Sequence, residues 1–195
     1  MPFNNRLLSS VDPIAARKAF VFTAVFLLLT GWHALKSDTQ LGILVPTLLI
    51  YTLILINTYS SIRLFASIQP PHNLQQELID FILGVLYLCM VLTMERPTLF
   101  SMSVSIMFVA ASLKYAFLLR GVSYIRLLRH KIIVDAIGAV SAFAAFLLIL
   151  FWHTAHALWL WAVIFALAQI DIFFLHPLYV PHKEQDERKA PLYSH

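Results

Sequence analysis

Six long apolar runs, at about 17–35, 41–63, 77–95, 98–119, 132–152 and 157–177, are separated by short polar connections. Each run is close to the roughly 20 residues that a helix needs to cross about 30 Å of hydrocarbon. The pattern predicts an all-α, polytopic membrane protein with six transmembrane helices in residues 1–180, followed by a polar tail at 181–195. The connection "MERPTL" is so short that the helices on either side of it must be antiparallel. Extended to the other outer connections, this gives three antiparallel hairpins.

Composition agrees with that pattern and narrows the function. Of 195 residues, 60% are hydrophobic and 12% charged, against about 25% charged in an ordinary soluble domain. Nearly the whole chain is then inside or beside a bilayer, which leaves no room for a separate soluble catalytic domain. The one cysteine, Cys89, lies in the third run, so an intrachain disulfide and a cysteine-rich metal site are both excluded.

The N-terminal "MPFNNRLLSSVDPIAARKAF" puts basic residues before an apolar run, as a signal peptide does, but the run is long and has no clear small-residue cleavage site. It reads as a retained first helix, with Asp12 as cap and Pro13 at the first helical position. Arg6, Arg17 and Lys18 outnumber Asp12, which also fits a mitochondrial presequence.

Charge sets the orientation. Arg6, Arg17, Lys18, Arg63 and the stretch "RGVSYIRLLRHK" fall on alternate connections, and the opposite connections hold only Lys36 with Asp38, Glu95 with Arg96, and "HTAH". Lysine and arginine in short loops mark the cytoplasmic side, so both termini are expected there, in a bacterial cytoplasmic membrane or a eukaryotic organellar one. Trp32, Trp152, Trp159 and Trp161 all fall near the opposite ends of their runs, where an indole suits the interface. The tail, with Lys183, Glu184, Asp186, Glu187, Arg188 and Lys189, reads as a solvated segment that orders on a partner.

Within the runs, the fifth carries Gly138, Ser141, Ala142 and Ala145 at close-packing spacing and is expected to be central. The Leu-rich first two are expected to face lipid, with Pro46 bending the second only slightly. Laying runs three and four over five and six aligns Asp80 with Asp135, Phe108 with Phe165 and Lys114 with Asp171. A parallel repeat and chance agreement between apolar helices both account for this.

The stretch "AVIFALAQIDIFFLHPLY" sets Asp171 among residues suited to hydrocarbon. A charge in a bilayer needs a partner or water, and Lys114, placed at equivalent depth by the alignment, is the expected partner of Asp171. Asp80 and Asp135 read as helix-start acids that complement the helix dipole, with Asn57, Tyr59, Arg129 or headgroup water to satisfy them. Asn57, Tyr59, Asp80, Lys114, Asp135 and Asp171 thus form a candidate intramembrane polar cluster in one leaflet. The outer half of the runs offers only hydroxyls such as Thr30, Thr47, Ser101 and Ser105, which suggests a vestibule more than a pore.

Two other groups are candidates. Arg120, Arg126, Arg129 and Lys131, interleaved with apolar residues, read as a basic loop that contacts anionic lipid or a partner. His33, His153 and His156 share the outer surface, and His72, His130 and His176 the inner one. Such sets can ligate a metal or haem or respond to pH, but they sit at helix ends and not inside facing helices. There is no glycine-rich phosphate loop, paired-histidine zinc helix or nucleophile elbow, so no catalytic residue and no cofactor is assigned.

The first expectation is a non-catalytic membrane subunit or assembly factor of a larger complex. Its partners would be membrane lipids and other membrane subunits or copies of itself, not nucleic acid. The alternative is a small oligomeric channel or transporter whose cytoplasm-facing cavity is lined by Asp171, Lys114 and Asp135. A third is an intramembrane enzyme or haem- or metal-binding protein using the aspartates or histidines.

Overall fold

The computed structural model describes residues 13–65, 74–119 and 125–175. Its helices are α1 (Pro13–Lys36), α2 (Leu41–Phe65), α3 (Leu74–Leu92), α4 (Pro97–Leu119), α5 (Ile125–Phe151) and α6 (Thr154–Ile170). A π-helical turn, Asp171–Leu175, continues α6. All six are long and apolar enough to cross a membrane, the last with its π turn included, so the chain has the make-up of a multi-pass membrane protein.

The ends of the elements have local causes. α1 starts on Pro13 and α4 on Pro97, where the missing N–H costs nothing. The Arg96 carbonyl accepts the Phe100 N–H at 2.9 Å, and the Arg96 N–H closes the preceding turn on Thr93 at 2.8 Å. The cap expected at Asp12 lies outside the described residues. The main departure from the hydropathy pattern is α5, expected from about 132 but helical from Ile125. Leu127, Leu128 and the basic residues beside them favour a helix, and Arg129 and Lys131 are helical residues and not part of a loop.

Three hydroxyls inside the apolar helices are satisfied by carbonyls of their own helix, as a dry environment favours, whereas Thr23 Oγ1 and Ser112 Oγ are buried with no hydrogen-bond partner among the described residues. Thr30 donates to the Phe26 carbonyl at 2.6 Å, Thr47 to Ile43 at 2.8 Å, and Ser101 to Thr98 at 3.0 Å.

Around the bundle, α1 neighbours α2, then follow α6, α5, α4 and α3, which returns to α1. The α4–α5 contact is the most intimate. A methyl group built on Gly138 would lie 3.0 Å from the Phe108 ring, and Ser105 Oγ donates to the Ala139 carbonyl at 3.0 Å. Ala139, Ala142 and Ala145 are buried on the same helix, because small residues let backbones approach.

Two expectations about the surface are corrected. α1 does face outward, with 17% of its apolar span buried, but α2 is the most buried of the six at 44%. Hydropathy cannot separate a leucine facing lipid from one facing a neighbouring helix, and Ile50, Tyr51, Ile54 and Leu55 of α2 are fully buried. Trp161 is not interfacial: it is buried between Phe100 and Phe165, at ring-centroid distances of 6.2 and 6.5 Å. Trp32, Trp152 and Trp159 are exposed, and the Lys36 ammonium lies 4.2 Å over the Trp32 ring.

Candidate functional site

On each of four helices, the lining residues recur mostly at three- and four-residue intervals, which stacks them on one face. α2 contributes Asn57, Thr58, Ser61 and Phe65. α3 contributes Glu77, Asp80, Leu83 and Tyr87. α4 contributes Ala111, Lys114, Tyr115 and Leu118, and α5 contributes Lys131 and Asp135. Together with Lys18 and Phe22 of α1 they enclose a cavity of about 540 Å³. Its lining takes the starts of α1, α3 and α5 and the ends of α2 and α4, so these meet at one end of the bundle.

Along α2 the lining runs from Ile54 to Phe65 and along α4 from Met107 to Leu118. At 1.5 Å per residue either stretch covers about 16 Å, roughly half the hydrocarbon thickness. The deep end is apolar, made by Ile54, Tyr87, Met107 and Phe108. Past it the interior is filled by Ile50, Tyr51, Met90, Phe100, Leu158 and Trp161, all buried. Tyr87 is fixed there: its hydroxyl is hydrogen-bonded to Thr58, its carbonyl accepts from Tyr51 at 3.4 Å, and Phe22 meets its ring edge-on at 5.1 Å.

Three carboxylates and three ammonium groups line the cavity: Glu77, Asp80 and Asp135, and Lys18, Lys114 and Lys131. Lys114 Nζ donates to Asp80 Oδ1 at 2.5 Å, joining α4 to α3. Lys131 Nζ donates to Asp135 Oδ1 at 2.6 Å, one turn apart on α5, and lies 5.6 Å over the Tyr115 ring. The second pair is buried, with 3% and 1% of the two side chains exposed. Desolvation of two ions costs several kcal/mol each, offset only by good geometry and further hydrogen bonds. That offset is incomplete, because Asp135 Oδ2 is buried and accepts no hydrogen bond among the described residues. On the outer side of α1 a groove lined by Ile14, Arg17 and Val21 shares Lys18 and Phe22 with the cavity.

Of the six residues expected to form the polar cluster, Asn57, Asp80, Lys114 and Asp135 line this cavity, and Tyr59 and Asp171 do not. Tyr59 lies under the Arg63 guanidinium at 5.5 Å. The expected Lys114–Asp171 pair does not form. Asp171 sits at the C-cap of α6, where the π turn begins, and α6 adds nothing to the lining. Asp80 and Asp135 are not helix-start acids: they lie well inside α3 and α5, and each is ion-paired.

The basic group divides. Lys131 is buried in the cavity wall, whereas Arg129 is exposed on α5. Arg120 and the Arg126 side chain lie outside the described residues, as do His72, His176 and the tail. At the far end, His33 Nε2 is 3.6 Å from Glu95 Oε1, and the His153 and His156 rings are 5.6 Å apart. Among the described residues no three His, Cys, Asp or Glu side chains come together as a metal site.

No family model matches the chain, and no curated protein or solved structure matches it significantly. The site therefore has to be read from its own chemistry. Lys18, Glu77, Ser61, Tyr87 and Tyr115 were not among the expected cluster. A signal for some of them was present: Glu77 precedes Asp80 by three residues and Ser61 follows Asn57 by four, so each shares a helix face with a residue that was expected.

Proposed function

We propose that this protein binds a small polar solute within the membrane and acts as a carrier, with the cavity open toward the cytoplasmic side. The observation that carries the reading is the charge-lined cavity in which a buried carboxylate oxygen, Asp135 Oδ2, has no hydrogen-bond partner among the described residues. A pair that only glues helices together needs no surrounding volume, and that volume is what a purely scaffolding subunit leaves unexplained. The cavity is also within the size range of small-molecule sites.

A channel is less well supported, because Thr30, Thr47 and Ser101 of the far half spend their hydroxyls on backbone carbonyls and its interior is packed with aromatic and aliphatic side chains. The orientation belongs to the same proposal. Arg17, Lys18, Arg63 and Arg129 sit at the cavity end, which favours that end and both termini on the cytoplasmic side, with the helices as three antiparallel hairpins.

The test is cysteine accessibility. In a Cys89→Ser background, Ala111→Cys is exposed to a charged, membrane-impermeant thiol reagent in vesicles of known orientation. Reaction from the cytoplasmic face alone is expected. No reaction from either face overturns the cavity, and equal reaction from both makes the protein a channel.

A further inference from the structure

The cavity's own chemistry selects a class of ligand. An ionised carboxylate only accepts hydrogen bonds, so Asp135 Oδ2 requires a donor. Lys131 already serves Oδ1, and the cavity that Asp135 lines is a place from which a further donor can come. The lining holds three acids and three bases, so its formal charge sums to zero. A lone cation or anion would leave an uncompensated charge among that balanced set, whereas a ligand of zero net charge would not. Lys114 gives one N–H to Asp80, and an ammonium carries three. Lys114 and Lys18 therefore offer donors to an anionic group, and Phe108 and Tyr87 offer apolar surface below.

Resting on the carrier reading above, we propose that the ligand is a small zwitterion bearing a primary ammonium. Its N–H groups are accepted by Asp135 Oδ2, and its anionic group faces Lys18 and Lys114. The same chemistry comes from two sources. One is a free solute arriving from water. The other is the headgroup of an aminophospholipid entering by the groove on α1, where Arg17 and Lys18 stand beside Ile14 and Val21.

The test uses the full-length Cys89→Ser, Ala111→Cys protein in nanodiscs of phosphatidylcholine, and measures protection from the thiol reagent by phosphoethanolamine and by phosphocholine, each supplied as its glycerol diester so that the phosphate is a monoanion and the net charge is zero. The two share an anionic phosphate and differ in that the quaternary ammonium has no N–H to donate. Loss of a charge-assisted hydrogen bond predicts half-protection by phosphoethanolamine at a concentration about ten- to a hundredfold lower. Asp135→Asn should erase that difference. The phosphocholine comparison, made with Asp135 in place, stands even where that variant folds poorly.

Equal protection by both compounds, or protection by neither while Ala111→Cys still reacts, overturns the zwitterion and leaves the cavity standing. An unreactive Ala111→Cys overturns the cavity itself. A second set of nanodiscs containing phosphatidylethanolamine separates the sources. Protection with no added solute assigns the lipid headgroup, and protection only by the soluble compound assigns a free ligand.

Discussion

Lys114 Nζ lies 2.5 Å from Asp80 Oδ1, which ties the one lysine of α4 to α3 and not to α6. Asp80 was within reach because α3 and α4 are joined by a tight turn and run side by side. The Asp80 side chain is 43% exposed and that of Lys114 14%, so the pair is partly solvated and its coupling modest.

A double-mutant cycle of Asp80→Asn with Lys114→Met, read by unfolding in detergent, should therefore give a coupling of about 1 kcal/mol. The control cycle of Asp171→Asn with Lys114→Met should be additive within about 0.5 kcal/mol. A larger coupling in the control would place Asp171 and Lys114 in contact, contrary to the geometry described here.

The Lys131–Asp135 pair should behave differently because it is dry. Lys131→Met alone leaves a buried carboxylate without its counter-ion and should destabilise by about 3 kcal/mol, clearly more than Lys114→Met. Combining it with Asp135→Leu removes both charges and should recover most of that loss. The doubly substituted protein should then fold and yet lose protection by phosphoethanolamine, which separates the stabilising role of the pair from its binding role. Thermal unfolding and thiol protection on the same preparation check both.

The number and positions of the helices were legible in the sequence because a bilayer imposes one length and one composition on each span. Residues such as Asn57, Asp80, Lys114 and Asp135 were legible as well, because charge and amide groups are costly in hydrocarbon and so stand out. Which of them meet was not legible. Depth along a helix follows from counting residues, but the face that a charge takes depends on the order of the helices around the bundle. Asp171 and Lys114 match in depth and lie on helices that do not bring them together. Lys131 is a related case: it reads in sequence as part of a basic stretch, and its i, i+4 relation to Asp135 was the legible signal for the ion pair that it makes. For Trp161 the depth was read as an interface, and the neighbours Phe100 and Phe165 overrule it.

That last difference has an optical consequence. With Trp32, Trp152 and Trp159 all changed to Phe, the remaining emission comes from Trp161, whose Nε1 is buried with no hydrogen-bond partner among the described residues. Its spectrum should be blue-shifted and resist quenching by acrylamide, whereas Trp159 retained alone should be quenched by brominated lipid. Ready aqueous quenching of Trp161 would contradict its place between Phe100 and Phe165.

Gly138 couples packing to the cavity most directly. A methyl group there would come within 3.0 Å of Phe108 Cγ, Cδ1 and Cε1, so the ring has to move. Phe108 also lines the cavity, which gives the ring room to yield. Gly138→Ala gains up to about 1 kcal/mol of helix propensity against the cost of that shift, so stability should change by less than about 1 kcal/mol. The displaced ring should narrow the cavity, and both the reaction rate of Ala111→Cys and its protection by phosphoethanolamine should fall. Gly138→Leu exceeds the available room and should destabilise by about 1–3 kcal/mol. Adding Phe108→Leu to Gly138→Ala should restore labelling, because the smaller side chain leaves the space that the new methyl group needs. Loss of labelling in Gly138→Ala with no recovery in that double variant would mean that the substitution acts by separating α4 from α5 and not through the cavity floor.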